Sequence, residues 1–143
     1  MEKFDIVIRL KCQLSKHSQG VSGYIFLDDD ILGKYHCDAS QDWEQRFTVN
    51  INAGTHKFGF TVNDKQSADT VVDAAGTILD DTLITLDYFE IDEIELTEMY
   101  KLRGKFIHAN QSHDPEINTA IGHNGSYFLE FDTPYYEWLL ANI

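Results

Sequence analysis

Phe4–Cys12 reads FDIVIRLKC. Phe4, Ile6, Ile8, Leu10 and Cys12 fall on every second position, and Asp5, Arg9 and Lys11 lie between them. A period of two places the first set on one face of a strand and the second on the other, so the segment reads as a half-buried β-strand. The same period recurs along the chain. Val21 to Leu27 and Ile31 to Cys37 flank Asp28-Asp29-Asp30 and read as a hairpin. Trp43, Phe47, Val49 and Ile51 alternate with Glu44, Arg46, Thr48 and Asn50, and Phe58, Phe60 and Val62 follow the loop Asn52-Ala53-Gly54. That pair reads as a second hairpin.

Residues 63–81 are polar and acidic, with a small hairpin from Thr70–Val72 to Thr77–Leu79. DDTLITLDYFEIDEIEL, Asp80 to Leu96, comes next and holds no Lys or Arg. Ile84, Leu86 and Tyr88 share one face, Phe89 and Ile91 the other, and Ile94 and Leu96 the first again, which calls for a bulge near Glu90 to Glu93 or cover on both faces. Arg103 to His108 reads as a strand and residues 109–116 as a loop. Asn124-Gly125 reads as a two-residue turn joining Thr119–His123 to Ser126–Phe131. Thr133 and Pro134 read as the start of a C-terminal helix with Tyr135, Trp138 and Leu139 on one face. The expected fold is all-β: a two-sheet β-sandwich of jelly-roll type with a short C-terminal helix. One domain spans 1–143, with 99–143 as a hairpin and helix added to the sandwich.

The chain has 143 residues, 43% of them hydrophobic and 24% charged, without an apolar run long enough to span a membrane. A net charge of -13, with 11 Lys and Arg against 24 Asp and Glu, repels phosphate backbones and argues against a nucleic-acid partner. Met1-Glu2-Lys3 leads directly into the first strand, so no secretory signal is expected. The two cysteines, Cys12 and Cys37, are expected as buried free thiols, and one bridge between them remains open.

The carboxylates of the acidic segment alternate between faces and are expected as a solvated strand surface rather than as a catalytic pair. Calcium is better served by the preceding loop, where Asp64, Asp69, Asp80 and Asp81 are the candidate ligands. Asp28-Asp29-Asp30 lacks the acidic twelfth position of a calcium-binding helix-loop-helix motif, since Ala39 stands there. His108, His113 and His123 match no zinc spacing. Among the many aromatic residues, Trp43, Tyr35 and Trp138 are the candidates for stacking on a sugar ring.

INAGTHKFGFTVND, Ile51 to Asp64, followed by the acidic segment, resembles calcium-dependent xylan-binding modules. The resemblance implies loop aspartates, here Asp64 with Asp80 or Asp81, holding a calcium ion that coordinates sugar hydroxyls. The Arg-Asn step usual before that family's last strand is missing. ADTVVDAAGTILDDTLITLDYFEIDEIEL with the terminal NGSYFLEFDTPYYEWLLANI is similar to small virion proteins of tailed phages, cyanophages included. It implies a non-enzymatic bacteriophage virion component, a tail, fibre or capsid-surface protein with host-glycan binding. Its partners would be other virion proteins or further copies of itself. The alternative is a free-standing calcium-dependent carbohydrate-binding module.

Overall fold

In the computed structural model, which describes residues 1–112 and 120–143, the alternating segments are strands that turn their apolar faces toward one another. β1 (Glu2–Gln13), β4 (Gln41–Ile51), β8 (Leu83–Ile91) and β11 (Ala120–Ile121) form one antiparallel sheet in the order β11-β8-β1-β4, with β9 (Ile94–Glu95) folded back on β8. The facing sheet runs β10-β12-β5-β2-β3, made of β10 (Lys105–His108), β12 (Gly125–Thr133), β5 (Gly54–Val62), β2 (Val21–Leu27) and β3 (Asp30–Cys37). A separate ribbon pairs β6 (Val71–Val72) with β7 (Ile78–Asp80). The molecule is a two-sheet β-sandwich with two short helices, α1 (Thr97–Arg103) and the C-terminal α2 (Tyr135–Asn142).

Phe4, Ile6, Ile8 and Leu10 from β1 meet Phe58 and Phe60 from β5, each at most 2% exposed. Phe58 stacks on Phe89 of β8 at 5.3 Å, and Tyr100 of α1 meets Phe89 edge-on at 5.2 Å. Burying each of these large side chains stabilises the fold by about 1.5 to 3 kcal/mol, and each aromatic pair adds about 0.5 to 1.5 kcal/mol. Burial also holds the Tyr100 hydroxyl well above the usual phenol range, and it donates to the Tyr127 carbonyl at 2.6 Å.

Two expected hairpins are connections between sheets. β4 pairs with β1, and β5 lies between β12 and β2, so Asn52 and Ala53 carry the chain from one sheet to the other. β11 pairs with β8 and β12 with β5, so Gly122 to Asn124 also crosses the sandwich. Alternation states which face of a strand is buried, but strands side by side and strands face to face satisfy it equally. Within the segment 99–143, β12 is an interior strand of the β5 sheet, between β10 and β5. The hairpin β2-β3 through Asp28-Asp29 forms as expected, as does the β6-β7 ribbon. Part of the expected 109–116 loop, His113 and Thr119 lie outside the described residues.

The face change in the acidic segment has a different origin from the one expected. Arg9 of β1 opposes Tyr88 while Leu10 opposes Leu86, so Asp87 is an extra residue in β8. With Asp87 set aside, Ile84, Leu86, Phe89 and Ile91 all face the core, and Tyr88 faces out, under the Arg9 guanidinium at 5.2 Å. Asp92 and Glu93, at φ 49° and 68°, form the tight turn between β8 and β9. The carboxylates are engaged locally: Asp87 accepts from Arg9 at 2.7 Å, Glu90 from the Tyr88 hydroxyl at 2.5 Å, and Asp92 from the Asp5 backbone at 2.8 Å.

α1 was not expected, because its seven residues are too few to display helical periodicity. Thr133 does not cap α2; its hydroxyl donates to the Asn52 carbonyl at 2.6 Å, and Glu2 instead accepts from the Tyr135 backbone at 3.1 Å.

Candidate functional site

The solvent face of the β5 sheet carries aromatic residues that the core does not use. Ser22, Tyr24 and Phe26 of β2 point outward, between the inward Val21, Ile25 and Leu27. Phe26 and Phe128 both lie opposite Gly59, where a Cβ would come within 2.2 Å of the Tyr127 carbonyl oxygen and 2.7 Å of the Phe128 Cβ. The missing side chain lets the two rings close over the strand, so Phe26 is 9% and Phe128 4% exposed. Lys57 lies over the Phe128 ring at 5.0 Å.

Tyr24 stands beside this aromatic floor, edge-on to Phe26 at 6.4 Å and still partly exposed. Its backbone N–H donates to the Thr61 hydroxyl at 3.0 Å, which fixes the strand beneath it. Two grooves meet at Tyr24 and Ile31. One, about 280 Å³, is lined by Phe26, Asp28, Asp29, Thr61 and Ser126; the other, about 510 Å³, by Ser22, Lys34, His36 and Asn63. Ile31 is 55% exposed. An aromatic and an aliphatic side chain at the centre, with hydroxyl, amide, carboxylate and ammonium groups around them, can take up a ligand with apolar and hydroxyl-bearing faces.

His56, on the inward side of β5 beside Phe131, anchors the Asp28 turn at the end of the smaller groove. Its Nδ1 lies 2.7 Å from the Asp28 carboxylate and its Nε2 2.7 Å from the Asn52 carbonyl oxygen. Both partners are acceptors, so a doubly protonated ring satisfies both contacts. Burial works against the charge, but the hydrogen bonds to Asp28 and Asn52 and the charges of Asp28 and Asp132 outweigh it and raise the His56 pKa. A raised pKa stabilises the fold fully below the unfolded value of about 6.5, and that contribution disappears as pH rises through the folded value. Accordingly, His56→Gln should lower the melting temperature at pH 5.5 by more than it does at pH 8.5. A gap that is the same at both values would show that His56 is neutral in the fold.

Of the residues expected as sites, all but Tyr35 lie away from these two grooves. Tyr35 is 2% exposed, with its hydroxyl donating to the Thr61 carbonyl at 2.6 Å, and is part of the core. Trp43 leans on Tyr35 at 5.7 Å, and Trp138 of α2 packs against Phe131 at 6.1 Å. Tyr35 reaches the wall of the larger groove, while Trp43 and Trp138 line neither groove.

Each of the four aspartates has its own task. Asp64 accepts from the Ser22 backbone at 2.6 Å and hydroxyl at 2.7 Å, and Asp69 from the Gln66 backbone at 2.8 Å. Asp80 accepts from the Lys16 backbone at 2.9 Å. Asp81 meets the Lys65 ammonium at 2.6 Å and the Thr70 hydroxyl at 2.8 Å. Burial alone would raise the Asp81 pKa, but Lys65 and Thr70 hold it below the usual range. Lys65 also donates to the Gly122 carbonyl, and Asn124 pairs with the Lys65 backbone through both ends of its amide. A hard cation needs several converging oxygens, whereas here an ammonium already occupies the Asp81 side of the loop. Among the described residues no three His, Cys, Asp or Glu side chains form a group that would hold a metal. The four aspartates do not fit one calcium site.

The chain matches no protein-family description and no curated protein. Among solved structures, "vCBM60 in complex with galactobiose" is similar over 87% of this chain and 96% of that chain, at 13% identity and a TM-score of 0.49. No helix among the described residues is long and apolar enough to cross a membrane.

Sequence reasoning missed Tyr24, Ile31, Thr61 and Ser126. For Tyr24 a signal was available: it is out of phase with Val21, Ile25 and Leu27, and therefore faces away from the core.

Proposed function

We propose that the protein is a non-catalytic recognition domain that binds an oligosaccharide across the outer face of the β5 sheet. The observation that carries this is partly exposed Tyr24, standing where two polar-walled grooves meet. The apolar face of a pyranose can lie on the Tyr24 ring while Thr61, Ser126, Asn63 and the Asp28-Asp29 turn meet its hydroxyls. The setting we propose is the surface of a tailed-phage particle, as the resemblance over 68–143 implies, with host glycan as ligand. Recovery of the chain from purified particles tests that setting; its absence from them would leave the free-standing binding domain.

Binding itself is tested on an array of neutral and acidic oligosaccharides, followed by calorimetry with the strongest of them. Tyr24→Ala should weaken that binding at least about tenfold, near 1.4 kcal/mol, with little change in melting temperature. Failure of every oligosaccharide to bind, or unchanged affinity in the variant, would overturn the reading.

A further inference from the structure

We infer that Cys12 and Cys37 are a site of reversible disulfide formation that ties the two sheets together. Cys12 points inward near the end of β1, and Cys37 ends β3 in the opposite sheet; they are 2% and 0% exposed. The register brings them together. Cys12 lies opposite Gln41, the first residue of β4, and only Asp38-Ala39-Ser40 separates Cys37 from Gln41. That connection is pinned to the end of β1, because the Leu14 N–H donates to the Ser40 hydroxyl at 3.0 Å. Both thiols belong to the same buried cluster and lie close enough to perturb one another.

Their mutual interaction raises the pKa of Cys12 and lowers that of Cys37, so Cys37 is the better nucleophile. The oxidant is a small-molecule disulfide. The Cys37 thiolate attacks one of its sulfurs, forming a mixed disulfide and releasing one small thiolate. Cys12 then attacks the Cys37 sulfur, releasing the second; the two departing thiolates take up the two protons lost by Cys37 and Cys12, and the two protein thiols are oxidised as the reagent is reduced to two thiols. Access comes through β3, an edge strand hydrogen-bonded to β2. Closure anchors β3, which carries Ile31, Lys34 and His36 of the groove wall. This last consequence rests on the groove reading of the proposed function; the bond itself does not.

The reduced full chain, equilibrated with oxidised glutathione, should lose about 2 Da, the mass of two hydrogens. It should then show no thiol after denaturation and melt on the order of 10 °C higher than the reduced chain. Amide exchange in β3 should slow, and Cys12→Ser or Cys37→Ser should abolish the melting gain. The inference is overturned if the wild-type chain keeps both thiols, stops at a glutathione adduct, or melts lower once oxidised. A chain that closes the bond but binds no oligosaccharide removes only the groove reading.

Discussion

Truncating Leu86 to alanine should cost about 3 to 5 kcal/mol, while removing the neighbouring Asp87 altogether should cost less. Leu86 is fully buried between β1 and the facing sheet, where the lost contacts and the cavity left behind both count. Asp87 is the surplus residue of a bulge, with Arg9 opposite Tyr88 and Leu10 opposite Leu86. Without it β8 reads Ile84 in, Thr85 out, Leu86 in, Tyr88 out, Phe89 in: regular alternation that keeps every core side chain on its face. The deletion removes the ion pair with Arg9, whose partners are each more than a third exposed, and some local twist; together these cost about 1 to 2 kcal/mol. Denaturant unfolding of both variants measures the difference. If the deletion destabilises as much as Leu86→Ala, β8 has no bulge at Asp87 and Tyr88 belongs in the core.

Asp87 also shows where reading a sequence stops. Its flanking segments each reveal an inward face by alternation, and every inward residue of β1 and β5 read that way is buried. A single extra residue inverts the phase without leaving a compositional mark, so alternation alone groups Tyr88 with Ile84 and Leu86. Connectivity was illegible for a similar reason. Asn52-Ala53-Gly54 has the length and residue types of a hairpin turn, and only the pairing of β4 with β1 makes it a crossing. The aspartates of the 63–81 loop were legible as oxygen donors, but their partners, Ser22 for Asp64 and Lys16 for Asp80, come from distant strands and are set by topology. Tyr35, by contrast, could have been placed: it lies between Lys34 and His36 and in phase with Cys37.

Deleting residues 134–143 should destabilise the domain by about 4 to 6 kcal/mol, the largest effect expected of any change outside the strands. α2 is only eight residues long, too short to persist without packing, so its stability is that of its contacts. Tyr135 is fully buried and Leu139 6% exposed. Tyr135 meets Phe4 edge-on at 5.2 Å, and Trp138 meets Phe131 at 6.1 Å. Glu2 supplies the hydrogen bond to the helix start, and Arg103 of α1 donates to Asn142 at the other end at 2.5 Å. Truncation exposes Phe4 and Phe131, so the loss combines the buried area of the tail with that of the surface beneath it. Tyr135→Ala alone should account for more than half of the loss and Trp138→Ala for less, because Trp138 is only partly covered. Were the truncated chain to unfold at the same denaturant concentration as the intact one, the contacts of α2 would contribute nothing to the isolated domain. Exposed Leu140 and Ile143 would then be the residues to test in an assembly.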